Sequence, residues 1–299
     1  MTRNTGDITG TIEDSRDNRD TRDTRETPTT VVVTGASGRA GSRVAEAARA
    51  AGLAVRPASR AGGFDWRDRA TWADVLRGAG AAFLVHPADV GAPGAAEEVG
   101  ALAREAARLG VRRLVLLSAR GEEQARPTED AVRDAGADWT VVRSSWFAQN
   151  FSEGPLAAQL RERGELVFPA GDVREPFVDL RDVAEVVVAA LTGGERYAGE
   201  VLEVSGPRLL SFGEAVSEIA RETGRALAYR AVPAREYGGQ LAAFGVPAGE
   251  AEFLVELFAS LLDGRNAHVS DGVGSVLGRA PRDFGAFVRE AAAAGTWAG

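Results

Sequence analysis

The run Val31-Val32-Val33 passes without a break into Thr34-Gly35-Ala36-Ser37-Gly38-Arg39-Ala40-Gly41, and this stretch constrains the fold more than any other. Consecutive β-branched residues leave no polar face, so the strand they form needs cover on both sides, as in the middle of a parallel sheet. From Ser42 the apolar positions Val44, Ala47, Ala48 and Ala51 recur at helical spacing and stop at Gly52, a natural helix terminator. Spaced glycines carry meaning when they lie between a buried strand and a helix. In that context Gly35 permits a tight turn, Gly38 lets backbone N–H groups approach a pyrophosphate, and Gly41 lets the helix come close to the sheet. The expected dinucleotide cradle is Gly35, Ser37, Gly38, Arg39, Ala40 and Gly41.

A second strand is predicted at 53–56 and further strands at 81–85, 111–117 and 139–142, separated by helical segments at 70–76, 95–109 and 128–135. This alternation predicts an α/β protein: a Rossmann-type parallel sheet with helices on both faces and right-handed crossovers. Ligands of such sheets bind beyond the carboxyl ends of the strands. Before Thr30, residues 1–29 hold only Met1, Ile8 and Ile12 as large apolar groups, and from Arg16 they run as an arginine–acid repeat. They are expected to form a disordered tail, since nothing there buries enough surface to offset ordering entropy.

Composition removes several chemistries. The chain has no cysteine and two histidines, His86 and His268, and all 35 of its basic residues are arginine. Disulfides, thiolate metal sites, Schiff bases and a P-loop lysine are therefore excluded, and no metal site is expected. A net charge of -8 disfavours nucleic-acid binding. No apolar run reaches the roughly 18–20 residues of a membrane span, and the amino terminus lacks the apolar core of a signal peptide. The expected location is cytoplasmic.

Where an NAD-specific site usually carries an acid at the end of the second strand, this chain reads Pro57-Ala58-Ser59-Arg60. Arg60, with Arg39 as a second cation, predicts NADP(H) over NAD(H). Asp65, ending a short third strand in Gly63-Phe64-Asp65-Trp66, is a candidate acceptor from adenine, and Trp66 is expected to pack. His86 and Ser118 end the following two strands and are expected beside the nicotinamide ribose. Ser211-Phe212-Gly213-Glu214 has capping-box form. His268 is read as a surface or packing residue, and Glu97-Glu98 and Glu122-Glu123 as solvated pairs that diverge on helices.

Longer stretches carry a family resemblance. Val33 to Gly41, Arg112-Arg113-Leu114-Val115-Leu116-Leu117-Ser118, Ser144-Ser145-Trp146-Phe147-Ala148-Gln149-Asn150-Phe151 and Phe177-Val178-Asp179-Leu180-Arg181-Asp182-Val183-Ala184 together resemble NmrA-like atypical short-chain dehydrogenases/reductases. The resemblance covers roughly residues 30–290. It is strongest to the bacterial branch grouped with ergot-alkaloid-type iminium reductases and NAD(P)H azoreductases, through Ser270-Asp271-Gly272-Val273 and Gly278-Arg279-Ala280-Pro281-Arg282-Asp283-Phe284 as well. It implies an NADP(H)-binding Rossmann domain over 30–150, a smaller, mainly substrate-binding lobe over 151–299, and segments near 177–205 that return to the sheet.

The wider superfamily places a Tyr-x-x-x-Lys proton donor in the helix after Ser118, but here that helix reads Arg126-Pro127-Thr128-Glu129-Asp130-Ala131-Val132-Arg133-Asp134. Two readings follow. Under the first, the protein is a reductase passing hydride to a small or medium aromatic or heterocyclic acceptor that needs little acid help: an iminium, a quinone or a conjugated system. Under the second, it binds NADP(H) without turnover and reports the redox ratio, as regulatory NmrA-like members do. Trp146, Phe147 and Asn150 are expected to contact a flat substrate, which favours the first. Ser118 and Tyr237 are the catalytic candidates, with Tyr237, beside Gly238-Gly239, as the candidate donor. Monomer and homodimer fit equally.

Overall fold

In the computed structural model, which describes residues 1–2 and 29–298, Val31, Val32 and Val33 are buried on both sides of a central strand. The predicted tail lies, apart from its ends, outside the described residues. In chain order the elements begin with β1 (Thr30–Thr34), α1 (Arg39–Ala50), β2 (Ala54–Ala58), α2 (Trp72–Leu76), β3 (Ala81–Leu84), α3 (Ala95–Arg108), β4 (Arg113–Ala119), α4 (Arg126–Arg133) and β5 (Asp138–Ser144). They continue with α5 (Gly154–Arg163), β6 (Glu165–Phe168), β7 (Arg174–Glu175), α6 (Leu180–Thr192), β8 (Glu200–Val204), β9 (Leu210–Ser211) and α7 (Phe212–Thr223). Last come β10 (Ala228–Ala231), α8 (Ala234–Ala243), α9 (Ala248–Leu261), α10 (Gly272–Leu277) and α11 (Phe284–Ala293).

The main sheet has the order β2-β1-β3-β4-β5-β8, and every pairing in it is parallel. Such a sheet must be covered twice. Val75, Val99, Leu102 and Val132, from α2, α3 and α4, bury one face; Val44, Val183, Val187 and Val273, from α1, α6 and α10, bury the other. The strand order reverses between β1 and β3, so their carboxyl ends open the crevice in which such sheets bind ligands. Thr34 pins the two ends together: its hydroxyl donates to the Phe83 carbonyl at 3.1 Å and accepts the Val85 N–H at 2.8 Å.

A second core lies in the carboxyl-terminal lobe. Phe151, Phe168, Phe177, Phe212 and Phe284 are each at most 2% exposed and meet in edge-to-face pairs, an arrangement suited to ring quadrupoles, and in tilted ones. The small parallel pair β6–β10 and antiparallel pair β7–β9 frame this lobe. The capping box expected at Ser211 forms in full and starts α7. Asp182, wholly buried in α6, accepts from Arg279 Nη2 at 2.7 Å and from the Arg282 N–H at 2.6 Å. The Gly278–Asp283 stretch thus ties the end of the chain to the sheet-covering helix.

One predicted element does not form. Residues 63–66 make no strand; Gly63 sits at φ 82° and Asp65 pairs only with Asp68 as an isolated bridge. The Asp65 side chain accepts the Arg67 N–H at 2.9 Å while its carbonyl accepts Trp72 Nε1 at 2.8 Å. The aspartate closes a turn on itself, and that local satisfaction outcompetes sheet pairing.

Candidate active site

Gly35, at φ 60°, makes the sharp turn out of β1, and the Gly38 N–H closes it on the Gly35 carbonyl at 2.8 Å. A Cβ on Gly41 would stand 2.2 Å from the Gly35 oxygen, so only glycine lets α1 begin directly over the turn. The Gly38 cap supplies no side chain to the first N–H groups of α1, which leaves them and the positive helix end for an anion. Ser37, Gly38 and Arg39 are exposed at this rim. Arg60 is also exposed, in the 3-10 turn that follows β2, with no acid between Ala54 and Gly63. The glycine cradle at the start of α1 fits the pyrophosphate of a nicotinamide dinucleotide. Arg39 itself turns the other way, donating from Nη1 to Asn150 Oδ1 at 2.5 Å, which ties the glycine loop to the second lobe.

From the cradle a cleft of about 560 Å³ runs along the carboxyl ends of β3, β4 and β5 to α8 and α9. Arg39, His86, Ser118, Trp146, Phe147 and Asn150 all line it, as does Tyr237; the sequence candidates from the glycine loop to the lobe therefore converge on one space. Arg60 and Asp65 lie outside this lining, as do Gly35, Ser37, Gly38, Ala40 and Gly41, so Arg39 alone of the glycine loop reaches it. Trp146 stands edge-on to Phe168 and Phe212, at 5.6 and 5.4 Å between centroids, so it belongs both to the lobe core and to the cleft wall. Phe147 packs instead against the sheet-side core. Leu241, Leu254, Phe258 and Leu261 close the far wall.

The polar members are held by partners sequence reasoning did not foresee. Ser118 donates to Glu129 Oε1 at 2.7 Å, and Arg143 grips the same carboxylate through Nε at 2.8 Å and Nη2 at 2.5 Å. Burial alone pushes the Glu129 carboxyl up; the hydrogen bonds from Arg143 and Ser118 outweigh it and hold the group below the usual range. His86 Nε2 lies 3.1 Å from Glu98, with Trp66 edge-on to the ring and Nδ1 buried without a partner. Glu98 is thus not a free solvated acid. Arg120, 4% exposed, donates from Nη2 to the carbonyls of Asn266 and His268 at 2.5 and 2.7 Å. The His268 ring is exposed, and its contribution is that carbonyl.

The largest departure concerns Glu122. It is no solvated acid: it is 3% exposed and lines the cleft, while Glu123 beside it is exposed and pairs with Arg126 at 3.8 Å. Of the catalytic candidates, Ser118 is committed to Glu129, and burial pushes the phenol of Tyr237, the candidate donor, up to about 12, making it a weak acid at neutral pH.

The model of the NmrA-like family matches residues 123–287, more than half of the chain. The chain belongs to the NmrA-like family. It is 30% identical to an NAD(P)H azoreductase from Xenophilus azovorans over 260 residues, 84% of this chain and 88% of that protein. It is 30% identical over 243 residues, 76% of this chain and 82% of that protein, to agroclavine dehydrogenase from Claviceps fusiformis. The crystal structure of an NADPH-dependent quinone oxidoreductase from Escherichia coli in complex with NADPH shares the fold, with a TM-score of 0.72 at 20% identity over 87% of this chain and 99% of that one. Among the described residues of this NmrA-like oxidoreductase, no helix is long and apolar enough to cross a membrane, and no cluster of side chains has the makeup of a metal site.

Proposed function

We propose that this NmrA-like oxidoreductase transfers hydride from NADPH to a small or medium aromatic or heterocyclic acceptor: a quinone, an azo compound, an iminium ion or a related conjugated system. The observation that carries the reading is the continuity of the cleft, which runs from Arg39 at the glycine loop to the aromatic and aliphatic wall of Trp146, Phe258 and Leu254. One continuous cleft can hold a donor beside a flat acceptor, and alignment of that kind accounts for much of a hydride transfer. The relatives named as reductases and dehydrogenases support catalysis over nucleotide sensing.

The loop residues Gly35, Ser37, Gly38, Ala40 and Gly41 would hold the pyrophosphate through backbone N–H groups and the start of α1. Arg60 would meet the 2′-phosphate; Asp65, with one oxygen taken by Arg67, would offer the other to the adenine; His86 and Ser118 would border the nicotinamide ribose. Bound there, the dihydronicotinamide supplies the hydride. The chain's own work is to orient the acceptor between Trp146 and the far wall and to keep water out. Arg39 is assigned to Asn150 and the closure of the cleft rather than to the 2′-phosphate. The substrate lobe, from about residue 151, and the Rossmann unit, 30–150 with its returning segments, remain the proposed division of labour.

Arg60→Ala is expected to weaken NADPH binding by about tenfold or more, the scale of a lost charge-assisted contact, while NADH binding changes little. Fluorescence titration of both nucleotides checks this, and equal losses for the two would remove Arg60 from the cofactor site. The reaction itself is read by following the reduced nicotinamide with each acceptor class in turn: steady oxidation with at least one class is expected, and binding without oxidation across all of them would favour the sensor.

A further inference from the structure

Glu122 follows β4 and caps the short 3-10 turn Glu123–Ala125, yet its side chain makes no cap hydrogen bond. Instead it folds inward until Oε1 lies where a Cβ on Gly91 would stand, 2.0 Å away; only glycine at 91 leaves room for it. Neither carboxyl oxygen has a hydrogen-bond partner among the described residues. Arg126 pairs with Glu123 and Arg143 with Glu129; Arg120 gives Nη2 to the Asn266 and His268 carbonyls, and its Nε and Nη1 have no hydrogen-bond partner among the described residues, Glu122 included. An ionised carboxylate would be costly in such a place. A neutral carboxylic acid at the edge of a reaction cleft is a proton source.

We propose that Glu122 is the proton donor of the cleft, delivering its carboxyl proton to an uncharged acceptor as that acceptor takes up hydride. The proposal rests on the reductase reading above. Geometry places the acid four residues beyond Ser118, lining the same space as His86, Ser118 and Trp146. Burial, the largest cause, raises the carboxyl to about 9; the neighbouring Asp89 carboxyl and, after it, Glu129 add to the rise, and the Gly91 backbone opposes it. The charged groups that face it are therefore Asp89 from the loop after β3 and Glu129 from α4, the latter balanced by Arg143 of β5.

The step balances simply. A C–H bond of the dihydronicotinamide breaks and its electron pair passes with the hydrogen to the acceptor, leaving oxidised nicotinamide. The negative charge that develops on the acceptor's oxygen or nitrogen takes the proton from Glu122, and water entering after product release restores the acid. An iminium ion ends as a neutral amine on hydride transfer and needs no proton, so Glu122 serves quinones and azo compounds but not iminium ions. This removes the apparent lack of a donor created by the missing Tyr-x-x-x-Lys pair.

The test is Glu122→Gln, which keeps size and removes the acid, assayed with an uncharged quinone and with a cyclic iminium ion. The proposal expects quinone turnover to fall by about 100-fold or more, iminium turnover and NADPH affinity to stay within a few-fold, and Glu123→Gln to behave as the parent protein. The parent's quinone kcat should decline above about pH 9, and that limb should vanish in Glu122→Gln. Independently of turnover, the parent's infrared spectrum at neutral pH should show a buried protonated carboxyl stretch that Glu122→Gln lacks. If Glu122→Gln does not fold, Glu122→Asp should retain partial quinone turnover with a displaced alkaline limb.

Undiminished quinone reduction by Glu122→Gln, equal losses for quinone and iminium, or absence of the infrared band would each overturn the donor role while leaving the reductase intact. Failure of the parent protein to oxidise NADPH with any acceptor would instead overturn the reductase reading, and the donor role with it.

Discussion

Gly41→Ala is expected to cost about 3 kcal/mol or more of folding stability and to lower NADPH affinity by about 100-fold or more. The added methyl would sit 2.2 Å from the Gly35 oxygen, 2.5 Å from its carbon and 2.8 Å from the Thr34 oxygen. All three are backbone atoms of the turn leaving β1, so no side chain can move aside. Relief requires α1 to back away from the sheet, which breaks its contact with α6 and withdraws the helix start from the proposed pyrophosphate site. Gly38→Ala makes a useful contrast, because its nearest neighbour would be 3.2 Å away and a slight adjustment suffices. Thermal melts and fluorescence titration of both variants check the ranking; Gly41→Ala binding NADPH as the parent does would remove the loop from the cofactor site.

Glu129→Gln is expected to destabilise the fold by about 3 kcal/mol at neutral pH, the scale of breaking a buried ion pair. Glu129 is 1% exposed and the Arg143 side chain 12%, so the variant leaves a guanidinium without its counter-charge. The pH dependence carries a definite sign. The folded Glu129 carboxyl lies below the ordinary range, so its contribution is full above the unfolded carboxylate value and is lost as pH falls through the folded one. The gap between parent and variant should therefore be widest near neutrality and close on acidification. Denaturant melts at several pH values read this directly; a gap that stays constant into acid would show that the pair contributes through shape rather than charge.

The Rossmann half was legible because its signals are local and periodic. The valine run, the glycine spacing and the apolar repeat from Val44 each dictate one element, and the sheet follows from their alternation. The second lobe was less legible: β6 and β10 pair across more than sixty residues, and no short window shows that partnership. Asp65 shows the opposite failure, a residue between apparent strand formers whose own side chain and carbonyl settle into a turn.

Arg39, His86, Ser118, Trp146 and Asn150 share the cleft lining because sheet topology brings strand ends together. Glu122 was missed because adjacent glutamates look solvated in sequence. Its burial is decided by the loop after β3, where Gly91 makes space for the carboxyl. The signal available was indirect: a glycine outside any turn that needs one, in a loop facing an acid. Glu129 was likewise read as part of a helix lacking tyrosine and lysine, although it stands one residue from the buried Thr128 and three from the buried Val132, on the inward face of α4.

The central claim, that this NmrA-like chain passes hydride from a reduced nicotinamide to a small conjugated acceptor, is tested most directly by deuterium transfer. NADPH carrying deuterium at the reactive carbon would be incubated with the protein and a cyclic iminium acceptor, and the amine product weighed by mass spectrometry. The account predicts one deuterium in each product molecule, fixed on the former iminium carbon. Product without the label, or NADPH bound tightly and never consumed by iminium, quinone or azo acceptors, would contradict it.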